Sequence, residues 1–139
     1  MKTTHIEHIG IAVSNLSESI RYYEEILGLK CYKTEEVPDQ KVKTAFLMIG
    51  QTKIELLEAT DAASPVAKFI EKRGEGVHHI AFAVDSVGDA LHEVNEKGIN
   101  LIDNAPRKGA DGKKIAFLHP KSTFGVLTEF CEDSIEVRS

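Results

Sequence analysis

With 139 residues the chain has the usual size of one domain, and its 42% hydrophobic content is enough to build a core. No stretch approaches the roughly 20 apolar residues of a membrane-spanning helix, so such a span is excluded. A net charge of −5 argues against a nucleic-acid platform, which would present a basic face.

The start, MKTTHIEHIGIAV, lacks a secretory signal pattern and reads as a strand from the outset. After it, Leu16, Ile20, Tyr23 and Leu27 recur at helical spacing. Ser14-Asn15 offers helix-start chemistry and Gly28 a stop. KVKTAFLMIG and QTKIELLEA then read as a hairpin joined near Gly50-Gln51. In ATDAASPVAKFIEKRGEG, Ser64-Pro65 predicts a short helix that connects rather than divides. HHIAFAVD follows as a second strand. Asp85-Ser86 starts a helix bearing Val87, Leu91 and Val94, and Gly98 stops it. KKIAFLHP and FGVLTEFCE form a last hairpin through the turn from Pro120 to Gly125.

These elements repeat. Setting His8 over His79, an offset of 71, places Ile9-Gly10-Ile11-Ala12-Val13 over Ile80-Ala81-Phe82-Ala83-Val84. Leu16 then lies over Val87 and Ile20 over Leu91. At the second hairpins Glu55 lies over Glu129, an offset of 74. Each half therefore reads as βαβββ, with the first module at about 4–60, a connector helix at about 61–75 and the second module at about 76–133. The chain is expected to be a single α+β domain, the strand before each hairpin being its faintest element.

The repeat carries four polar residues in apolar strands: His8, Glu55, His79 and Glu129. A carboxylate on an apolar sheet face is costly unless it is paired or bound to a metal. A lone strand histidine is ordinarily a hydrogen-bonded structural residue, and a lone strand glutamate ordinarily faces water. Their joint recurrence points instead to a metal site. Two imidazoles and two carboxylates suit a divalent ion of borderline hardness, such as Co²⁺, Zn²⁺, Ni²⁺ or Mn²⁺. The offset from His8 makes His79 the inward residue and leaves His78 outward. His5 and His92 read as surface residues, and His119 in LHPKS as a turn residue, with a place lining the site as the alternative reading.

Two further features are open to more than one reading. Arg107, Lys108, Lys113, Lys114 and Lys121 form either a solvated loop or a site for a small anionic ligand. Cys31 and Cys131 are far apart, show no metal-finger spacing, and fit buried thiols in a reducing cytoplasm.

On HIGIAV, TKIELLEA, SPVAKFIEKRGEGVHHIAFAVD and GKKIAFLHPKSTFGVLTEF, the sequence resembles the vicinal oxygen chelate, or glyoxalase-fold, superfamily. Within it the resemblance is to the methylmalonyl-CoA epimerase family, over roughly Ile6 to Cys131. It implies two paired βαβββ modules forming a curved mixed sheet around a metal site. His8, Glu55, His79 and Glu129 would be the ligands, with Co²⁺ as the first choice of metal. It also implies a homodimer and an acyl-CoA substrate whose phosphates meet Lys113, Lys114 and Lys121. The reaction would be proton removal and return at C2 of the substrate, with Glu129 and Glu55 as the candidate acid–base groups.

The chain departs from the family pattern twice. Some epimerases carry Gln where Glu55 stands, so the ligand set here is similar to that of some glyoxalase I enzymes. Aligned on Gln40, a glutamate proposed as a base in some members falls at Thr44, which cannot exchange a proton in that role. A glyoxalase I-type lyase acting on a glutathione hemithioacetal is therefore the runner-up. A metal-free binding protein of the same fold would not need all four ligand-type residues. A ring-cleaving dioxygenase usually has a longer chain and uses two His and one Glu.

Overall fold

The computed structural model describes residues 1–132. It divides into two compact units, one of residues 8–78 and one of residues 1–7 together with residues 79–132.

In the first unit, β1 (Thr3–Ala12, entering at His8) leads to α1 (Leu16–Glu25), then β2 (Cys31–Val37), β3 (Val42–Ile49) and β4 (Thr52–Ala59). The strands lie in the order β2-β3-β4-β1. β3 is antiparallel to both neighbours, and β1 is parallel to β4. Asn15 caps α1 by accepting a hydrogen bond from the Glu18 amide at 3.0 Å. Gly28, at φ +72°, takes the left-handed turn that ends it. Leu16 buries itself against Val13, Ala45, Leu47, Ile54 and Leu56, with Ile20 and Tyr23 packed at the margin. Leu27, expected on this face, lies past the helix end and is half exposed, because the helix stops two residues earlier than the apolar spacing suggests. Ser64 and Pro65 start α2 (Pro65–Arg73), the expected connector helix.

The second unit repeats the pattern. β5 (Gly76–Val84, entering at His79) leads to α3 (Val87–Glu96), β6 (Arg107–Lys108), β7 (Lys114–Leu118) and β8 (Thr128–Glu132). The order is β5-β8-β7-β6, with β5 parallel to β8 and β7 antiparallel to both neighbours. β6 spans two residues, the least developed of the eight strands among the described residues. Ser86 caps α3 through the Asp89 amide. Val87, Ala90, Leu91 and Val94 bury the helix against Val84, Ala116, Leu118 and Phe130. Burying a large aliphatic side chain contributes about 1.5–3 kcal/mol, so this stripe anchors the helix.

One further element repeats. The Leu16 amide donates to Glu58 at 3.4 Å and the Val87 amide to Glu132 at 3.0 Å. In each unit a carboxylate from the last strand thus meets the helix N-terminus, where negative charge is favoured. Each set of strands therefore has a helix-covered face and a second face that carries the polar residues. No helix among the described residues is long and apolar enough to cross a membrane.

Candidate metal centre and active site

Strand register explains how each unit assembles a His–Glu pair. On β1 and β4, Gly10 is the register partner of Glu55, and His8 precedes Gly10 by two residues. A two-residue step returns to the same face, so His8 and Glu55 meet diagonally. His8 Nδ1 lies 3.3 Å from Glu55 Oε2, with both side chains 5% exposed. On β5 and β8, Ala81 partners Glu129 and His79 stands two residues before it. His79 Nε2 lies 3.2 Å from Glu129 Oε1, again almost wholly buried. Gly10 and Ala81 are small, which leaves room beside each carboxylate.

Across the hairpins, Phe46 opposes Glu55 and Phe117 opposes Glu129. The Phe117 ring stands edge-on to the His79 imidazole at 5.4 Å. Each pair is thus walled by an aromatic ring and by strands, in surroundings where an isolated carboxylate would be costly. Two neutral imidazoles and two carboxylates are the donor set that a borderline divalent ion prefers, so the chemistry of the residues fits such a metal.

The adjacent histidines separate as strand alternation requires. His79 is 5% exposed, whereas His78 is half-buried and packs edge-on to Phe69 at 5.0 Å. His92 is exposed and pairs with Glu96 on α3. His5 is part-buried and meets the Thr4 hydroxyl. His119 is exposed in the turn after β7, where its Nδ1 accepts from the Lys121 amide at 3.0 Å.

The basic loop resolves in part. Arg107 donates to Asp103 at 2.9 Å and lies over the Phe117 ring at 5.3 Å, so it is held by the protein. Asp103 also accepts from the Phe117 amide. Lys108, Lys114 and Lys121 are exposed and Lys113 is half-buried.

Two buried polar residues, Lys53 and Glu7, were not singled out from the sequence, and a third, Thr44, was noted there only as a position that cannot act as a base. Lys53, the register partner of His8, is 8% exposed. Glu7 is 7% exposed, and one of its carboxylate oxygens lies within 4.8 Å of Cys131 Sγ. Glu7 and His8 are both buried although adjacent, so both faces of β1 are covered at this point. Thr44 is fully buried, and its hydroxyl has no hydrogen-bond partner. An unsatisfied buried hydroxyl costs about 1–3 kcal/mol.

Residues 7–117 match the Glyoxalase/Bleomycin resistance protein/Dioxygenase superfamily. A Bacillus subtilis protein described as uncharacterised is 46% identical over 127 residues, covering 91% of each chain. The human mitochondrial methylmalonyl-CoA epimerase is 36% identical, over 89% of this chain and 71% of its own. The structure of a single-substitution variant of Streptomyces coelicolor methylmalonyl-CoA epimerase in complex with 2-nitronate-propionyl-CoA superposes with a TM-score of 0.92. It is 38% identical and covers 96% of both chains.

Proposed function

The chain belongs to the glyoxalase/bleomycin resistance protein/dioxygenase superfamily, and from that premise we propose that it is a metal-dependent methylmalonyl-CoA epimerase, an isomerase that interconverts the 2R and 2S thioesters. The observation that carries this reading is the buried His–Glu pair, built once in each unit from repeat-related residues. The sequence similarity to named epimerases supports the choice of reaction.

In this proposal His8, Glu55, His79 and Glu129 hold one divalent ion, Co²⁺ by family resemblance and Zn²⁺, Ni²⁺ or Mn²⁺ by donor chemistry. When bound, the ion supplies Lewis-acid stabilisation of the charge that develops on the thioester oxygen. The remaining work falls to the chain. The C2 proton is acidified by the thioester and carboxylate beside it. A carboxylate, with Glu129 and Glu55 as candidates, accepts that proton on one face, and a carboxyl group returns one on the other. Phe46 and Phe117 wall the two pairs and limit water. Lys113, Lys114 and Lys121 attract the phosphates of coenzyme A.

The protein is taken to act in the cytoplasm as a homodimer. Among the described residues neither cysteine is disulfide-bonded; Cys131 is buried, whereas Cys31 is only half-buried.

The test is isotope exchange. Metal-loaded protein is incubated with methylmalonyl-CoA in deuterated water, with chelated protein as the control. Deuterium entry at C2 is followed beside inversion. Metal-dependent exchange with inversion is the expected result. Absence of exchange in protein verified to carry metal would discard the epimerase and turn attention to a glutathione hemithioacetal.

A further inference from the structure

Epimerisation needs a proton carrier on each face of C2, and the two carboxylates named so far are also proposed metal ligands. A carboxylate that shares its lone pairs with a cation is a weakened base. The first unit offers a third carboxylate on the same face. β2 and β3 pair Glu35 with Thr44, and β3 and β4 pair Thr44 with Leu57 and Phe46 with Glu55. Register partners share a sheet face, so Glu35, Thr44, Leu57 and Glu55 all project from the face that bears His8. Lys33 belongs to that face too. Its ammonium lies 5.3 Å from the centre of the Phe46 ring and 4.0 Å from Glu35 Oε1.

Glu35 stands two strands from Glu55. At about 4.8 Å per strand, and with Glu55 two residues along β4 from Leu57, the register partner of Thr44, the two backbones are roughly 12 Å apart, a gap that long acidic side chains span with a small acyl group between them. The Glu35 side chain is 30% exposed, so a substrate can reach it while its neighbours still orient it. On the strand between the two carboxylates sits the partnerless hydroxyl of Thr44. This face is therefore polar beyond what the four proposed ligands require.

We propose that Glu35 is a catalytic residue, the proton carrier on one face of C2. The proposal rests on the epimerase reading. The Glu35 carboxylate takes the C2 proton and becomes a carboxylic acid. The electron pair of the broken C–H bond forms the C1–C2 double bond, and negative charge moves to the thioester oxygen. A carboxylic acid on the opposite face, with Glu129 as the candidate, then gives its proton to C2, and the double bond reverts to the thioester. Nothing is oxidised or reduced, and the reverse reaction exchanges the two roles.

The test uses metal-loaded Glu35→Gln with each epimer separately in deuterated water, with metal content and thermal midpoint measured alongside. Inversion is expected to fall about 100-fold or more, the usual contribution of a general acid–base group. One epimer should still exchange its C2 proton at close to the wild-type rate, because that proton faces the carrier that remains. A merely structural role would not separate exchange from inversion. Wild-type inversion in the variant would overturn the proposal, as would equal loss of exchange and inversion in folded, metal-loaded protein. Should Glu35→Gln fail to fold, Glu35→Asp, with its carboxylate withdrawn by one methylene, must show the same split at about tenfold or greater loss of inversion. Absence of exchange in the wild-type protein is a different result, and it sinks the epimerase reading itself.

Discussion

Replacing His79 by alanine tests the site most directly, because structure and function must then fail together. The imidazole is 5% exposed, lies 3.2 Å from Glu129 and packs against the edge of Phe117. Its removal takes one hydrogen-bonding partner from a nearly buried carboxylate, a loss of about 2–3 kcal/mol for a buried group with charge. It also leaves a cavity the size of the ring, adding about 1 kcal/mol after partial collapse. The sum, about 3 kcal/mol, corresponds to a fall in Tm of about 10 °C for a domain of this size. Urea unfolding of chelated protein measures this without any metal contribution. Inductively coupled plasma analysis of the metal-loaded variant measures the ligand role, and bound metal is expected to drop to trace levels. A variant that keeps one metal per chain, or whose metal-free form unfolds within 0.5 kcal/mol of the wild type, would refute the reasoning.

Further outcomes are expected. Glu129→Gln keeps the fold but loses most turnover, and wild-type rates would remove Glu129 from the acid–base role. Glu132→Gln should lower stability by about 0.5–1.5 kcal/mol, and Glu58→Gln by less because its contact to the helix start is longer, as urea titration of each would show. Neutralising Lys113, Lys114 and Lys121 together should raise KM for a coenzyme A thioester and flatten its salt dependence while leaving kcat close to wild type. Burial, and secondarily the charge of Tyr22, raises the Tyr23 phenol above its usual range. The unfolded chain then loses that proton first. The resulting stability is full below the unfolded pKa and fades as pH rises through the folded one. Ultraviolet titration of Tyr22→Phe should retain most of the shift.

The sequence by itself determined the architecture of each unit, because an offset that aligns histidines, apolar strands and helix starts is local information. Asn15 and Ser86 cap their helices where side-chain chemistry alone places them. It also determined which histidine of the adjacent pair turns inward, since strand alternation permits one and the repeat selects it. The four candidate ligands were legible for the same reason: each was expensive alone and recurred.

Only the tertiary structure decided what depends on register between strands distant in sequence. Leu27 fits the helical stripe, yet backbone termination at Glu25 left it half exposed. Arg107 reads as one more basic loop residue until the fold brings Asp103 and Phe117 to it. Glu35, on a strand the sequence marks only faintly, gains its place when β3 sets it opposite Thr44, on the face that carries Glu55. Periodicity assigns a residue to one of two faces. Which residues from other strands share that face is fixed by hydrogen-bond register, and register is settled only when the strands pair.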